Sequence, residues 1–293
     1  MNGDAIKSMQ LYSSLDRISR DLAASGYPSG PVPIDVMVRF DQLHYHGTAA
    51  VDKAIVSTNI EDSSLVLDIG SGYGGPARWI AEQTGARVDA VELQADLSAI
   101  AADLTGRVGL DDKVSLITGD ILEVPLVENR YDCVVSFLTL YHIPHRSMLF
   151  PRLRNTMQAG TTMHVEDLYL LGTPTATEKH ELEHMLHANT LVTSTEYQTE
   201  LQNAGFTIDT WEDTTQDWAK FTAERLRLFR SHQTEYEKVH GADTFESLEK
   251  FYVVIARLLA GGNVGGVIYT ARNVEPETSE PLARTDEKGP AKW

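Results

Sequence analysis

Residues 65–76 read Leu-Val-Leu-Asp-Ile-Gly-Ser-Gly-Tyr-Gly-Gly-Pro, and no other segment restricts the fold of this chain as strongly. An apolar, strand-like run leads into a glycine turn. Pro76 then stands where a helix can open, because a first-turn residue needs no amide donor. The glycines permit a tight turn and let a ligand approach the backbone. Gly70, Gly72 and Gly75 satisfy G-x-G-x-x-G, a pattern that alone fits nicotinamide and flavin sites equally well.

The surrounding sequence alternates. Strand-like runs occur at Leu65–Ile69, Arg87–Glu92, Val114–Thr118, Cys133–Phe137 and Thr161–Leu168, separated by helix-like stretches at Pro76–Gln83, Asp96–Val108 and Phe150–Met157. Alternation of this kind implies parallel strands joined by crossover helices. Upstream lie an amphipathic helix over about Ala5–Ala24, a breaker at Tyr27–Pro33, and a polar segment from Phe40 to Thr48 that leads into a helix through Ile55. Downstream, Thr177–Ala188, Thr195–Ala204 and Asp217–Tyr236 read as helices with charged faces. Ala204-Gly205-Phe206 marks a helix end feeding a strand, Thr207–Trp211. Thr244–Ala260 is a further helix and Gly266–Arg272 a closing strand.

Three acids follow the turn in order. Asp68 lies two residues before Gly70, suited to an ammonium and ill suited to a pyrophosphate. Glu92 ends the second strand, 20 residues after Gly72, where a carboxylate can take both hydroxyls of a ribose. Asp120, after the third strand, can accept from an adenine amino group while Ile121 packs on the ring.

Composition narrows the partners. The formal net charge of −17 opposes binding to a nucleic-acid backbone and favours cationic ligands. The single cysteine, Cys133, builds neither a disulfide framework nor a cysteine zinc site. No run is long and apolar enough for a bilayer, and the N-terminus lacks a basic region followed by an apolar stretch. The expectation is a cytoplasmic protein with no nucleic-acid or membrane partner. No heptad seam specifies an oligomer.

The segments "LVLDIGSGYGG", "VDAVEL", "TGDILEVP" and "YDCVVSFLTLYHI" resemble the successive motifs of the class I S-adenosylmethionine (SAM)-dependent methyltransferases, over roughly residues 40–270. "YHG" before the first motif, "AGF" after the sheet and "GGNVGGVIYTAR" near the end are most similar to the small-molecule branch that includes sarcosine/dimethylglycine, phosphoethanolamine, tocopherol and sterol methyltransferases. The resemblance implies SAM as cofactor and a small-molecule methyl acceptor. It implies Asp68, Gly70 and Gly72 at the methionine end, Glu92 at the ribose, Asp120 and Ile121 at the adenine, Ser136 beneath the methionine, His46 and Gly47 near the methyl group, and Leu93 among the cofactor-binding residues. The expected fold is α/β: a Rossmann-like seven-stranded, mostly parallel sheet with an antiparallel last strand and a helical lid. Its expected parts are an N-terminal helical segment covering the active site (1–40), the SAM-binding core (41–170), a helical lid with one core strand (171–240), a helix and strand of the core (241–273) and a disordered tail (274–293).

Methyl transfer from a sulfonium is an in-line displacement. The protein must chiefly align the nucleophile, keep it deprotonated and exclude water. His142 is the first catalytic candidate, since a histidine of this motif pairs with an N-terminal tyrosine in the phosphobase enzymes. Tyr45 or Tyr27 would be that tyrosine here. His46 joins the catalytic candidates, and His44, Tyr141, Glu166 and Asp167 are candidates for binding the acceptor. Imidazoles at 44, 46 and 142 could in principle hold zinc; no metal is expected. The family's acid four residues before the histidine is replaced by Leu138, and no arginine or lysine cluster flanks the motifs. A phosphorylated base is therefore disfavoured. The expected reaction is methylation of an amine nitrogen, sarcosine- or dimethylglycine-like. Oxygen, sulfur or carbon methylation of an apolar or aromatic metabolite is the alternative. A nicotinamide-dependent oxidoreductase and a non-catalytic SAM-binding protein are the rivals from other classes.

Overall fold

The computed structural model describes residues 15–188 and 190–274. The apolar runs become strands β1 (Leu65–Ile69), β2 (Arg87–Glu92), β3 (Val114–Thr118), β4 (Tyr131–Phe137), β5 (Met157–Leu170), β6 (Phe206–Asp213) and β7 (Val264–Asn273). They form one sheet in the order β3-β2-β1-β4-β5-β7-β6, in which only β7 runs antiparallel to its neighbours. The seven-stranded, mostly parallel sheet with an antiparallel last strand expected from the sequence is thus the observed one.

Helices α1 (Arg17–Ala24), α2 (Ile34–Asp41) and α3 (Thr48–Thr58) precede the sheet. Helices α4 (Gly75–Thr84), α5 (Ala95–Val108) and α6 (Arg146–Thr156) cross between strands. Helices α7 (Ala176–His184) and α8 (Ser194–Asn203) lead into β6, and α9 (Thr215–Ser231), α10 (Gln233–His240) and α11 (Ala242–Ala260) lead into β7. Both faces of the sheet are covered, so successive residues of one strand serve different cores. Leu67 and Ile69 of β1 pack with Val134, Val165 and Phe150, whereas Val66 packs with Ala77, Ile80 and Val88 on the opposite face. Each fully buried aliphatic side chain of this kind stabilises the fold by about 1.5–3 kcal/mol. Asp68 shares the face of Val66.

Two assignments are corrected and one helix is added. Helix α2 runs from the end of the proline breaker into the segment that begins at Phe40: Pro33 is its N-cap, and Met37 and Asp41 are buried. Helix α6 begins at Arg146 rather than Phe150 and carries Pro151 inside it. The long helix expected over 217–236 is two, broken at His232. Residues 5–14 of the expected first helix, and the tail beyond Val274, lie outside the described residues.

The last helices interlock through rings. Phe229 of α9 stacks on Phe245 of α11 at 4.6 Å and meets Tyr252 edge-on at 5.0 Å. Trp218 seats α9 on the sheet because Gly266 of β7 has no side chain; a Cβ there would lie 2.1 Å from the indole. His240 of α10 and Asp21 of α1 are 2.7 Å apart, tying the N-terminal helix to this group. Among the described residues no helix is long and apolar enough to cross a membrane.

Candidate active site

Strand order reverses between β1 and β4, whose connections leave in opposite directions and open a crevice at the carboxyl ends of the strands. A cavity lies there, floored by the turn after β1 and roofed by α9, α11 and the segment after α7. The turn is built by close approach. Gly70 has φ +70° and Gly72 φ +55°, and the amides of Gly70 and Ser71 both donate to the carbonyl of Val91. A Cβ on Gly70 would lie 2.1 Å from Thr139 Cγ2, and one on Gly75 would lie 2.4 Å from the Asp41 carbonyl oxygen. Gly70→Ala combines a left-handed backbone with that clash, and is expected to lower unfolding free energy by about 2 kcal/mol or more in urea titrations.

Three carboxylates line this end. Asp68 is 1% exposed, and its Oδ2 has no hydrogen-bond partner among the described residues. Burial, with Glu92 as the lesser cause, pushes its carboxyl up to about 7. Glu92 is held from both sides: Oε2 accepts from the Gly72 amide and Oε1 from that of Gln94, each at 2.9 Å. Burial raises its carboxyl, and these bonds counter the effect. Asp120 accepts from the Leu122 amide through Oδ1, and Ile121 and Leu93 flank it on the wall.

At the other end stand Tyr45, His44, Tyr141 and His142. His142 sits in a 3-10 turn, Leu140–His142, directly after β4. Its Nδ1 is 3.2 Å from the carbonyl oxygen of His187. A carbonyl only accepts, so Nδ1 carries the hydrogen and Nε2 the lone pair. Burial pushes His142 down to about 4 and keeps it neutral. Burial pushes the Tyr45 hydroxyl up to about 12 against the pull of Arg225, leaving it a hydrogen-bond donor at neutral pH. His44 donates from Nε2 to the Gly47 carbonyl at 3.0 Å, and burial lowers it too.

Other sequence candidates stand apart from the cavity. His46 faces outward and pairs with Asp217 at 2.6 Å, because its left-handed backbone (φ 59°) turns it from the crevice. Gly47 is the N-cap of α3, where φ +56° explains the glycine, and does not line the cavity. Ser136 is fully buried and donates to the Ile69 carbonyl, joining β4 to β1. Glu166 is buried outside the cavity lining, 3.8 Å from His164. Asp167 is enclosed on the opposite face, where it accepts from the Tyr141 amide at 3.2 Å and the Tyr197 hydroxyl at 2.7 Å. Asp167 thus supports the turn that carries His142. Tyr27 packs in the core around α1, so of the two tyrosines weighed only Tyr45 reaches the cavity.

Sequence reasoning missed three participants. Thr139 wedges against Gly70. Asp41, at the end of α2, is gripped by Arg78 of α4 at 2.8 Å, with both side chains wholly buried. Arg225 of α9 reaches the cavity from far downstream. The only signal for Arg225 was its placement four residues after Phe221 on a helix otherwise read as a charged surface.

A family profile described as "Methyltransferase domain" matches residues 66–160. The chain is similar to the methyltransferase GfsG of Streptomyces halstedii, 26% identical over 45% of this chain and 48% of that protein. It is also similar to the sarcosine/dimethylglycine N-methyltransferase of Halorhodospira halochloris, 24% identical over 73% of this chain and 77% of that one. The match therefore spans about half the length of the first relative and about three quarters of the second. Other relatives are named as O- and C-methyltransferases. Among solved structures, Haemonchus contortus phosphoethanolamine N-methyltransferase 2, with phosphomonomethylethanolamine and S-adenosylhomocysteine, superposes with a TM-score of 0.75 at 18% identity, over 89% of this chain and 60% of that one. At that identity the likeness is one of fold.

Proposed function

We infer that this chain, a class I SAM-dependent methyltransferase by its methyltransferase domain and its sheet order, moves a methyl group onto a small-molecule acceptor held between Tyr45, His142 and the apolar face of α11. The observation that carries this is Asp68. A buried carboxyl with an unpartnered oxygen, on the wall of a cavity beside a glycine turn, is costly to the free protein and becomes favourable when a cation meets it. The ammonium of SAM is such a cation.

The remaining groups suit the same ligand. The Gly70–Gly72 backbone leaves room for a close-lying chain. Each Glu92 oxygen uses one lone pair on a backbone amide and keeps another for a ribose hydroxyl. Asp120 would accept from the adenine amino group, between Ile121 and Leu93. When bound, SAM supplies a methyl on a sulfonium, already activated toward displacement.

The chain's task at the acceptor is alignment and exclusion of water. Phe137, Leu138, Leu186, Leu248, Phe251 and Ile255 surround the position with apolar surface. An amine in these surroundings rests as the free base, with its lone pair available, because burial disfavours the ammonium. Asp41 lines the cavity too, but it is already held by Arg78. His142, neutral and with Nε2 unprotonated, accepts the hydrogen of the incoming N–H and directs the nitrogen, while Tyr45 donates. We propose the amine nitrogen as the acceptor atom. A hydroxyl on an aromatic metabolite is the second reading, favoured by the rings of Phe137, Phe251 and Tyr252 on the walls.

Thermal shift with SAM, S-adenosylhomocysteine, NAD and NADP separates the cofactor classes, and stabilisation by the first two is expected. Stabilisation by NAD alone would end this reading. Incubation with methyl-labelled SAM and a metabolite extract should then yield a labelled product whose formation depends on His142.

A further inference from the structure

Arg225 is the feature of the cavity that methyl transfer itself leaves unexplained. Its neighbours on α9 behave as surface arginines: Arg227 pairs with Glu224 and Arg230 with Glu249, each at 2.6 Å. Arg225 instead turns inward. Its guanidinium lies 4.5 Å from the ring centre of Tyr252, 5.1 Å from that of Tyr45 and 5.6 Å from that of Phe221. Its Nε is buried with no hydrogen-bond partner among the described residues, and none of the ion pairs among them includes it.

Rings recover part of the cost of desolvating a guanidinium, and the Tyr45 hydroxyl accepts from one of its N–H groups, but the buried Nε is left without an acceptor and the charge without a counter-ion. A planar fork of donors with no anion of its own, on the wall of a ligand cavity, matches a carboxylate. One guanidinium balances one negative charge, which favours a monoanion over a phosphate dianion. We propose that Arg225 anchors a carboxylate of the methyl acceptor, whose body is apolar and lies against Tyr45, Phe251 and Tyr252. This inference rests on the methyl-transfer reading of the cavity. It adds what that reading lacks, a charge on the substrate remote from the reacting atom.

The test uses the full chain saturated with S-adenosylhomocysteine and three probes titrated by calorimetry: 3-phenylpropanoate, its neutral amide and phenyl phosphate. The carboxylate should bind about tenfold or more tightly than the amide of the same shape. That ratio should fall to about one in Arg225→Met and be partly kept in Arg225→Lys. A merely structural arginine would change melting temperature and leave the ratio intact. The inference is overturned if carboxylate and amide bind the unaltered protein equally, if the preference survives in Arg225→Met, if phenyl phosphate outbinds the carboxylate, or if the carboxylate fails to bind at millimolar concentration. Failure of the unaltered protein to bind S-adenosylhomocysteine would instead strike at the methyltransferase reading, so the two failures are distinguishable.

Discussion

Asp68→Asn is expected to abolish measurable binding of S-adenosylhomocysteine while raising the melting temperature of the free protein. Both effects come from one group. Its carboxyl is raised from 3.8 to about 7, chiefly by burial. An acid whose folded value exceeds its unfolded value opposes folding once ionised. Its contribution is most favourable below about pH 4, is lost as pH rises to about 7, and is constant above that. Three units correspond to at most about 4 kcal/mol. Asparagine removes that cost and with it the charge that meets the ligand's ammonium. For the unaltered protein the sign on binding is opposite. The ammonium draws the carboxyl back down, so ligand uptake near pH 6 releases a proton and affinity climbs with pH up to about 7. Calorimetry in buffers of different ionisation enthalpy reads that proton, and scanning calorimetry reads the stability. Unimpaired binding by the asparagine variant would remove the basis of the cofactor assignment.

The second large effect is expected at His142. His142→Ala should lower kcat by about a hundredfold or more, with the dissociation constant of S-adenosylhomocysteine held within about threefold. Because burial holds His142 near 4, it is already neutral across the ordinary histidine range. The pH–rate profile of the unaltered enzyme should therefore show no inflection from this residue between pH 6 and 7. A rise in KM with kcat intact would mark His142 as a group that binds acceptor and transition state equally. A break at the ordinary histidine value would contradict its enclosure.

Much of this was legible in the sequence, for an identifiable reason. Strand-forming apolar and β-branched residues bounded by glycines and helix-like stretches mark β1, β2 and β3, which begin and end where those runs do. Residues at or beside the ends of these strands are placed by the topology, so Asp68, Glu92 and Asp120 come together at the carboxyl ends of the sheet without any long-range inference. Side chains delivered by helices were harder to place. The Asp41–Arg78 pair joins residues 37 positions apart, and no local pattern records it. Arg225 looks like its neighbours in sequence and differs only in the direction it points. His46 failed for the converse reason: adjacency to Tyr45 suggested a shared site, and a left-handed residue turned the two apart.

The contact between Asp41 and Arg78 pins one wall of the cavity. Separating a wholly buried ion pair costs about 3–5 kcal/mol, so α2 and α4 behave as one piece during turnover. The opposite wall has no such pair: there α9 and α11 are joined through Phe229, Phe245 and Tyr252, and there Arg225 is mounted. The helix that carries the proposed carboxylate anchor thus belongs to the wall that the buried ion pair leaves unpinned.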